Sequence, residues 1–331
     1  MKLDIVVPTY NRADLLKRTL ESLANARLPL DFEVVVTVVD NNSTDNTREA
    51  VENLRPQFTK IKLEYVFESR QGKSYALNTG IERADGELLS GVDDDVAVAE
   101  NWYIELEKVF RERWNEIDFV GGKILPEWEN ELIPAWIEPL KDGVISWRDY
   151  GDQEWEYGEN TPILTGAHCV LKREIFDQIG LLVHGIGPVG KNLMVCDDDI
   201  VYDKLLSAEK KGRYIPQLVV YHFVPQFRVS KSYYRQWCFA AGVSKHLMDA
   251  HYKPLKETKL FGVPRWMYRT ALSGVFSKIK NIIRRNETES LAAENQPAIF
   301  AGYFYGRNLQ NSWLDKPLQI FAKKFFNSAQ R

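Results

Sequence analysis

The sequence predicts an α/β fold: a mostly parallel central sheet with helices on both faces, followed by a helical C-terminal appendage. Three observations carry this expectation. Short apolar runs alternate with amphipathic stretches through the first part of the chain. Each of these runs ends in a polar loop. Beyond about residue 250 the texture changes to apolar segments set among cations.

Taken in order, Leu3 to Val7 is an apolar run ending at Pro8, as expected of a buried strand. Asn11 is placed to cap a helix whose Leu15, Leu16, Leu20 and Leu23 share one face. Phe32 to Val39 is a second strand, rich in β-branched residues, and Ser43 and Thr44 open a turn into a helix ending near Leu54. Ile61 to Phe67 is a third strand, Ser74 to Arg83 a helix, and Glu87 to Val92 a fourth strand running into Asp93. In open sheets of this kind ligands bind beyond the carboxyl ends of the strands. Residues 8–12, 40–45, 68–73 and 93–95 are therefore expected to gather on one rim. Further on come a helix after Asn101, a strand from Phe119 to Ile124 and a loop-rich stretch over 126–165. A glycine-rich, mobile segment is expected over 175–190, then a helix from Asp197 to Lys211, a strand from Tyr214 to Phe223 and a helix from Ser230 to Met248. The domain division that follows is 1–248, with halves of about 1–97 and 98–248, and an appendage over 249–331.

The chain has 331 residues, enough for one large domain and a smaller one, and its 44% hydrophobic and 27% charged content is that of a globular protein. A net charge of −3 argues against a general nucleic-acid binder. Three well-separated cysteines form no CxxC pair and suit a reducing compartment. The opening MKLDIVVPTYNR lacks the apolar core of a signal peptide, and no apolar run of about 18 residues follows, so a cytoplasmic location is expected.

The strongest local signal is Asp93-Asp94-Asp95 at the end of an apolar strand. Adjacent carboxylates repel unless solvated or bound to a cation, and oxygen donors suit Mg2+ or Mn2+. An acidic surface turn is the competing explanation. A second cluster, Asp197-Asp198-Asp199, opens a helix. The helix dipole alone favours it, and a general base for a hydroxyl is the functional alternative. Arg70-Gln71-Gly72-Lys73-Ser74 resembles the end of a phosphate loop, but Phe67 stands where the first glycine is required and no G-x-G-x-x-G opens a helix, so a nucleoside triphosphatase or a nicotinamide enzyme is disfavoured. His222 ends a strand and is a metal-ligand candidate if that strand finishes near the first acidic cluster.

In their order, Val7-Pro8-Thr9-Tyr10-Asn11-Arg12, Val39-Asp40-Asn41-Asn42-Ser43-Thr44-Asp45, Gly72-Lys73 with Asn78, Val92-Asp93-Asp94-Asp95, Thr165-Gly166-Ala167-His168 and Asp197-Asp198 resemble the motifs of glycosyltransferase family 2. The resemblance implies the GT-A (nucleotide-diphospho-sugar transferase) fold. It places Pro8, Tyr10, Arg12, Asp40, Lys73, Asp93 and Asp94 at the nucleotide, and Asp95 with His222 at a divalent metal, Mn2+ or Mg2+. It places Gly166, Ala167 and His168 at the sugar or acceptor site, and Asp198 with Asp197 at catalysis. The implied reaction is a single inverting displacement from a nucleotide sugar, UDP-linked by preference, to a glycan or lipid-linked acceptor in surface-polysaccharide biosynthesis. The family often has Glu where Asp197 stands and Asn where His168 stands. Tyr233-Tyr234-Arg235-Gln236-Trp237 departs from the Q-x-x-R-W of processive members, so a nonprocessive enzyme is expected. The alternatives are an inactive nucleotide- or partner-binding module of the same fold, and a sugar nucleotidyltransferase. The latter lacks support because its N-terminal glycine-rich loop is missing. The aromatic and cationic segment over 261–326 either rests peripherally on the cytoplasmic membrane face or packs on the catalytic domain or a second subunit.

Overall fold

The computed structural model describes residues 1–184, 193 and 195–309. The apolar segment from Leu314 to Phe326, and residues 185–190 of the expected mobile segment, lie outside these described residues.

The first part alternates strand and helix as β1 (Lys2–Thr9), α1 (Ala13–Asn25), β2 (Glu33–Asp40), α2 (Thr47–Leu54), β3 (Lys62–Phe67), α3 (Lys73–Arg83) and β4 (Leu88–Gly91). Then come β5 (Val96–Val98), α4 (Trp102–Arg113), β6 (Phe119–Trp128), the short α5 (Lys141–Val144), β7 (Trp155–Glu156), β8 (Cys169–Lys172), α6 (Ile175–Ile179), α7 (Asp197–Ser207) and β9 (Gly212–Val224). The chain continues through α8 (Lys231–His251), the hairpin β10 (Lys259–Leu260) and β11 (Val263–Pro264), α9 (Arg265–Ile283), α10 (Glu287–Ala292) and α11 (Asn295–Leu309).

The described strands of the main sheet run in the order β3-β2-β1-β4-β8-β6-β9-β5, with β7 on β9. Pairing is parallel among β3, β2, β1 and β4 and turns antiparallel at β8, so the parallel character expected from the sequence belongs to the N-terminal strands. The antiparallel strands β5, β7 and β8 are two to four residues long, too short to show a period in sequence. β1 is buried from Leu3 to Thr9, as a central parallel strand with both faces covered must be. Leu3, Ile5 and Val7 join Leu16, Leu20 and Leu23 of α1 and Trp102, Leu106 and Phe110 of α4 on one face. Val6 turns to the other, with Ala76 and Ile81 of α3 and Leu205 of α7. Each fully buried Leu of α1 contributes roughly 1.5–3 kcal/mol.

Pro8 lies inside β1, not at its end, because pairing with β4 stops at Val6. Beyond that point the missing N–H costs no ladder bond, while the β2 side continues to Thr9↔Asp40. Asn11 does not cap α1. Its Oδ1 accepts from the backbone N–H of Thr44 at 2.7 Å, and the Asp45 carboxylate, arriving from the next loop, accepts from Ala13 N–H at 3.2 Å at the start of the helix. A cap supplied across 32 residues has no signature in the local sequence.

Two compact units are distinguished. One gathers Met1–Glu127, the chain from Ser146 and Asp197–Phe223; the other gathers Trp128–Ile145 and the chain from Val224. Within the second, α8 and α11 cross at their glycines. A Cβ on Gly302 would lie 1.9 Å from the Phe239 carbonyl oxygen, and one on Gly242 would lie 2.0 Å from that of Ile299. Because the obstruction is backbone, no rotamer relieves it. Gly302→Val is expected to destabilise the protein by about 1–3 kcal/mol or more, read as a lowered urea midpoint by circular dichroism. An unchanged midpoint would contradict this packing.

Candidate functional site

Register builds the site. Thr9 lies beside Asp40, and Asp40 beside Phe67, so the loops after β1, β2 and β3 leave the sheet together. Val92 N–H extends the β4 ladder to the Val6 carbonyl, and a turn closed by Val96 N–H on the Asp93 carbonyl presents the three aspartates at the same rim. Val96 pairs with His222 across β5 and β9, which brings His222 Nε2 to 3.5 Å from Asp95 Oδ1.

Cations offset the repulsion among the three carboxylates. Arg12 Nη1 donates to Asp94 Oδ1 at 3.0 Å and Asp95 Oδ2 at 3.1 Å, and Thr9 Oγ1 donates to Asp94 Oδ2 at 2.8 Å. Lys73, the first residue of α3, places its ammonium 2.5 Å from Asp93 Oδ1. Burial raises the Asp94 carboxyl to about 6, opposed by the Arg12 charge. Burial would lower the Lys73 ammonium, but Asp93, Asp197 and Asp198 together hold it well above its usual range.

Asp197 and Asp198 start α7 and line, with Lys73 and Asp93, one open cleft whose lining also includes Gly166 and Cys169. Desolvation by the cleft wall, then the neighbouring Asp197 charge, lifts Asp198 to about 7 against the pull of Lys73 and a backbone N–H bond from Gly166. Asp197 is raised by the same desolvation. Gly166 leaves the Asp198 carboxylate its present position: a Cβ there would lie 2.5 Å from Asp198 Oδ1 and displace it. Asp199 is not among the residues lining the cleft.

The remaining expected residues lie around and beneath the rim. Asp40 is buried at the rim with both oxygens engaged, by Tyr65 Oη–H at 2.7 Å and Ser43 N–H at 2.8 Å. Tyr10, just past the end of β1, is half-buried, and Pro8 is buried in β1. Ala167 packs into the core under the sheet. The His168 side chain, expected at the acceptor site, is instead sealed inside. Its Nε2 accepts from Trp102 Nε1–H at 2.9 Å, which leaves Nδ1–H to donate to the Lys123 carbonyl at 3.2 Å. Burial pushes this imidazole down to about 4, so it is neutral and serves the indole, which needs an acceptor where it is buried.

Four residues beside the site received no individual role in the sequence reading. Asn41 is buried and brackets the next loop, donating to the Arg70 carbonyl at 2.7 Å and accepting from Gly72 N–H at 2.7 Å. Asn78 pins Leu182 through two 2.9 Å bonds, and His184 stacks on Tyr75 at 4.0 Å. Cys169 lies in the cleft, but burial and the Asp198 charge push its thiol far up, so it stays protonated and is a poor nucleophile. Asn41 and Asn78 stand in the motif segments quoted above, and asparagine is a residue type that bonds loop backbone.

Among the described residues no three His, Cys, Asp or Glu side chains converge into a protein-only metal cage. Asp95 and His222 bring a carboxylate and an imidazole to 3.5 Å of each other. This donor set would suit a Mg2+ or Mn2+ ion only if further oxygen ligands came from outside the protein.

The sequence model of Glycosyl transferase family 2 matches residues 4–180, just over half of the chain, and the chain belongs to that family. It is similar to a GalNAc(5)-diNAcBac-PP-undecaprenol beta-1,3-glucosyltransferase of Campylobacter jejuni, with 36% identity over 28% of this chain and 29% of that protein. It is also similar to a glucosyl-dolichyl phosphate glucuronosyltransferase of Haloferax volcanii, with 24% identity over 92% of this chain and 96% of that one. Among solved structures, the mannosyltransferase PcManGT of Pyrobaculum calidifontis, in complex with GDP-Man and Mn2+, superposes with a TM-score of 0.53 at 19% identity, covering 99% of this chain and 80% of that one. The fold is the GT-A fold of glycosyltransferases.

Carbon-13 NMR of the side-chain carboxyls is expected to show Asp198 titrating near 7. Asp197→Asn removes a like charge and moves that midpoint down; Lys73→Met removes a cation and moves it up. A midpoint in the ordinary aspartate range, or shifts of the opposite sign, would refute this electrostatic description.

Proposed function

We propose that the chain transfers a sugar from a nucleoside-diphosphate sugar to a hydroxyl of a lipid-linked glycan acceptor, in a single displacement that inverts the anomeric centre. The observation that carries this reading is the pair of acidic clusters lining one cleft, with the Lys73 ammonium between them. A leaving diphosphate needs positive charge on one side of the reacting carbon, and an attacking hydroxyl needs a base on the other.

In this reading Pro8, Tyr10, Arg12, Asp40, Lys73, Asp93 and Asp94 form the nucleotide side, with Lys73 and Arg12 supplying positive charge. Asp95 and His222 would hold a divalent ion, Mn2+ or Mg2+, whose chemistry when bound is to neutralise charge on the leaving diphosphate. Asp198 acts as the base, and its poise near neutrality suits that task. Asp197 keeps Asp198 basic, and Gly166 leaves room for its carboxylate. The catalytic work belongs to the first compact unit, which contains every one of these residues. A uridine diphosphate donor is the first choice, and the names of the two relatives above motivate polyprenyl-linked acceptors.

Thermal-shift screening of nucleotide sugars with Mn2+ tests the donor, because a ligand stabilises the native state by RT ln(1 + [L]/Kd). Uridine diphosphosugars are expected to raise Tm, and the gain is expected to disappear in Asp95→Ala. Stabilisation by guanosine donors alone would overturn the nucleotide assignment, and no turnover with any donor would favour a binding module. For the base, Asp198→Asn is expected to lower kcat roughly 10²–10⁴-fold with Tm little changed. A base must be ionised to act, so the wild-type rate should rise with pH through a limb near 7 that the variant lacks. A limb that persists in Asp198→Asn would assign the base elsewhere.

A further inference from the structure

Helix α9 carries two apolar faces, of which its neighbours use one. Met267 and Ala271 are buried, and a Cβ on Gly274 would meet Pro297, so this side packs on α11. On another side Leu272, Val275, Phe276, Ile279, Ile282 and Ile283 are all exposed, Phe276 at 70% and Ile283 at 76%. Their spacing of three and four residues makes a continuous stripe over roughly a third of the helix circumference. Scattered exposed leucines are ordinary, but six large apolar side chains in one row along a helix mark a binding surface.

The charge around the stripe selects the partner. Arg269 and Lys280 edge it, and Arg284 and Arg285 follow its end. From residue 252 to 285 the sequence holds nine Lys or Arg and one acid, Glu257, in a chain whose net charge is −3. The hairpin before the helix adds Phe261, 72% exposed, and α9 itself adds Trp266, an aromatic type that prefers the membrane–water boundary. Among the described residues no helix is long and apolar enough to cross a membrane. An apolar stripe with a cationic margin on a non-spanning helix is the pattern of a helix lying in the plane of a bilayer surface.

We infer that α9 docks on an anionic phospholipid surface, with Phe276, Ile279 and Ile283 entering the acyl boundary and Arg269 and Lys280 meeting the headgroups. The acidic remainder of the chain disfavours non-specific attraction to such a surface, so attachment is confined to this helix and its hairpin. The inference does not depend on which reaction the cleft performs.

Flotation of the full chain with vesicles of phosphatidylcholine, alone or mixed with phosphatidylglycerol, tests it. Binding to the mixed vesicles is expected, weakened by added salt, with little binding to phosphatidylcholine alone. The combined variant Phe276→Ser, Ile279→Ser and Ile283→Ser should keep its circular dichroism melt, because these side chains are exposed, and lose roughly tenfold in partition per side chain. Arg269→Gln with Lys280→Gln should lose about fivefold per cation removed. Failure of the wild-type chain to float with anionic vesicles would overturn the inference, as would unchanged flotation of the apolar variant. Light scattering that shows a dimer dissociated by the apolar variant, with no vesicle binding, would assign the stripe to a second copy of the chain instead.

Discussion

Three carboxylates on consecutive residues at the end of a buried strand repel one another and lose water, and the surrounding loops are arranged to answer that cost. Arg12 arrives from the loop after β1 and spans Asp94 and Asp95; Lys73 arrives from the start of α3 and takes Asp93. Neither cation is near the aspartates in sequence. The acidic turn is therefore tolerable only when the β1, β3 and β4 ends are already in register, which ties the electrostatics of the site to the hydrogen-bonded order of the sheet.

Lys73 also connects the two acidic clusters. It is held charged by Asp93 on one side and by Asp197 and Asp198 on the other. The two sides differ in how far they are compensated. The first cluster is ringed by donors, whereas Asp198 receives a backbone N–H and the distant pull of Lys73 while Asp197 works against it. Both clusters thus hold a carboxylate lifted by burial, Asp94 to about 6 and Asp198 to about 7, the one opposed by Arg12 and the other by Lys73.

The parallel half of the fold was legible because strands buried on both faces read as unbroken apolar runs, and because each ended in polar residues. The rim follows from those strand ends. What could not be read came from pairing at a distance. His222 becomes a neighbour of Asp95 only through the antiparallel register of β5 and β9, and β5 is three residues long. The inward turn of His168 depends on a tryptophan 66 residues away that needs an acceptor. Asn11 looked like a cap because its type suits one, but the N–H groups it meets belong to the next loop, and the helix takes its cap from Asp45. In each case the residue type was informative and its partner was not.

Two asparagines deserve to be considered together. Asn11 joins the loop after β1 to the loop after β2, and Asn41 joins that loop to the one after β3. Three segments that would otherwise fluctuate separately are laced by side-chain amides into one rim. Ordering a free loop costs roughly 1–2 kcal/mol per residue in backbone entropy. Here that cost is met when the protein folds and not when a ligand arrives, so more of any contact made on the rim is retained as affinity. The same lacing makes the rim intolerant of length changes: an insertion in one loop would be transmitted to the other two.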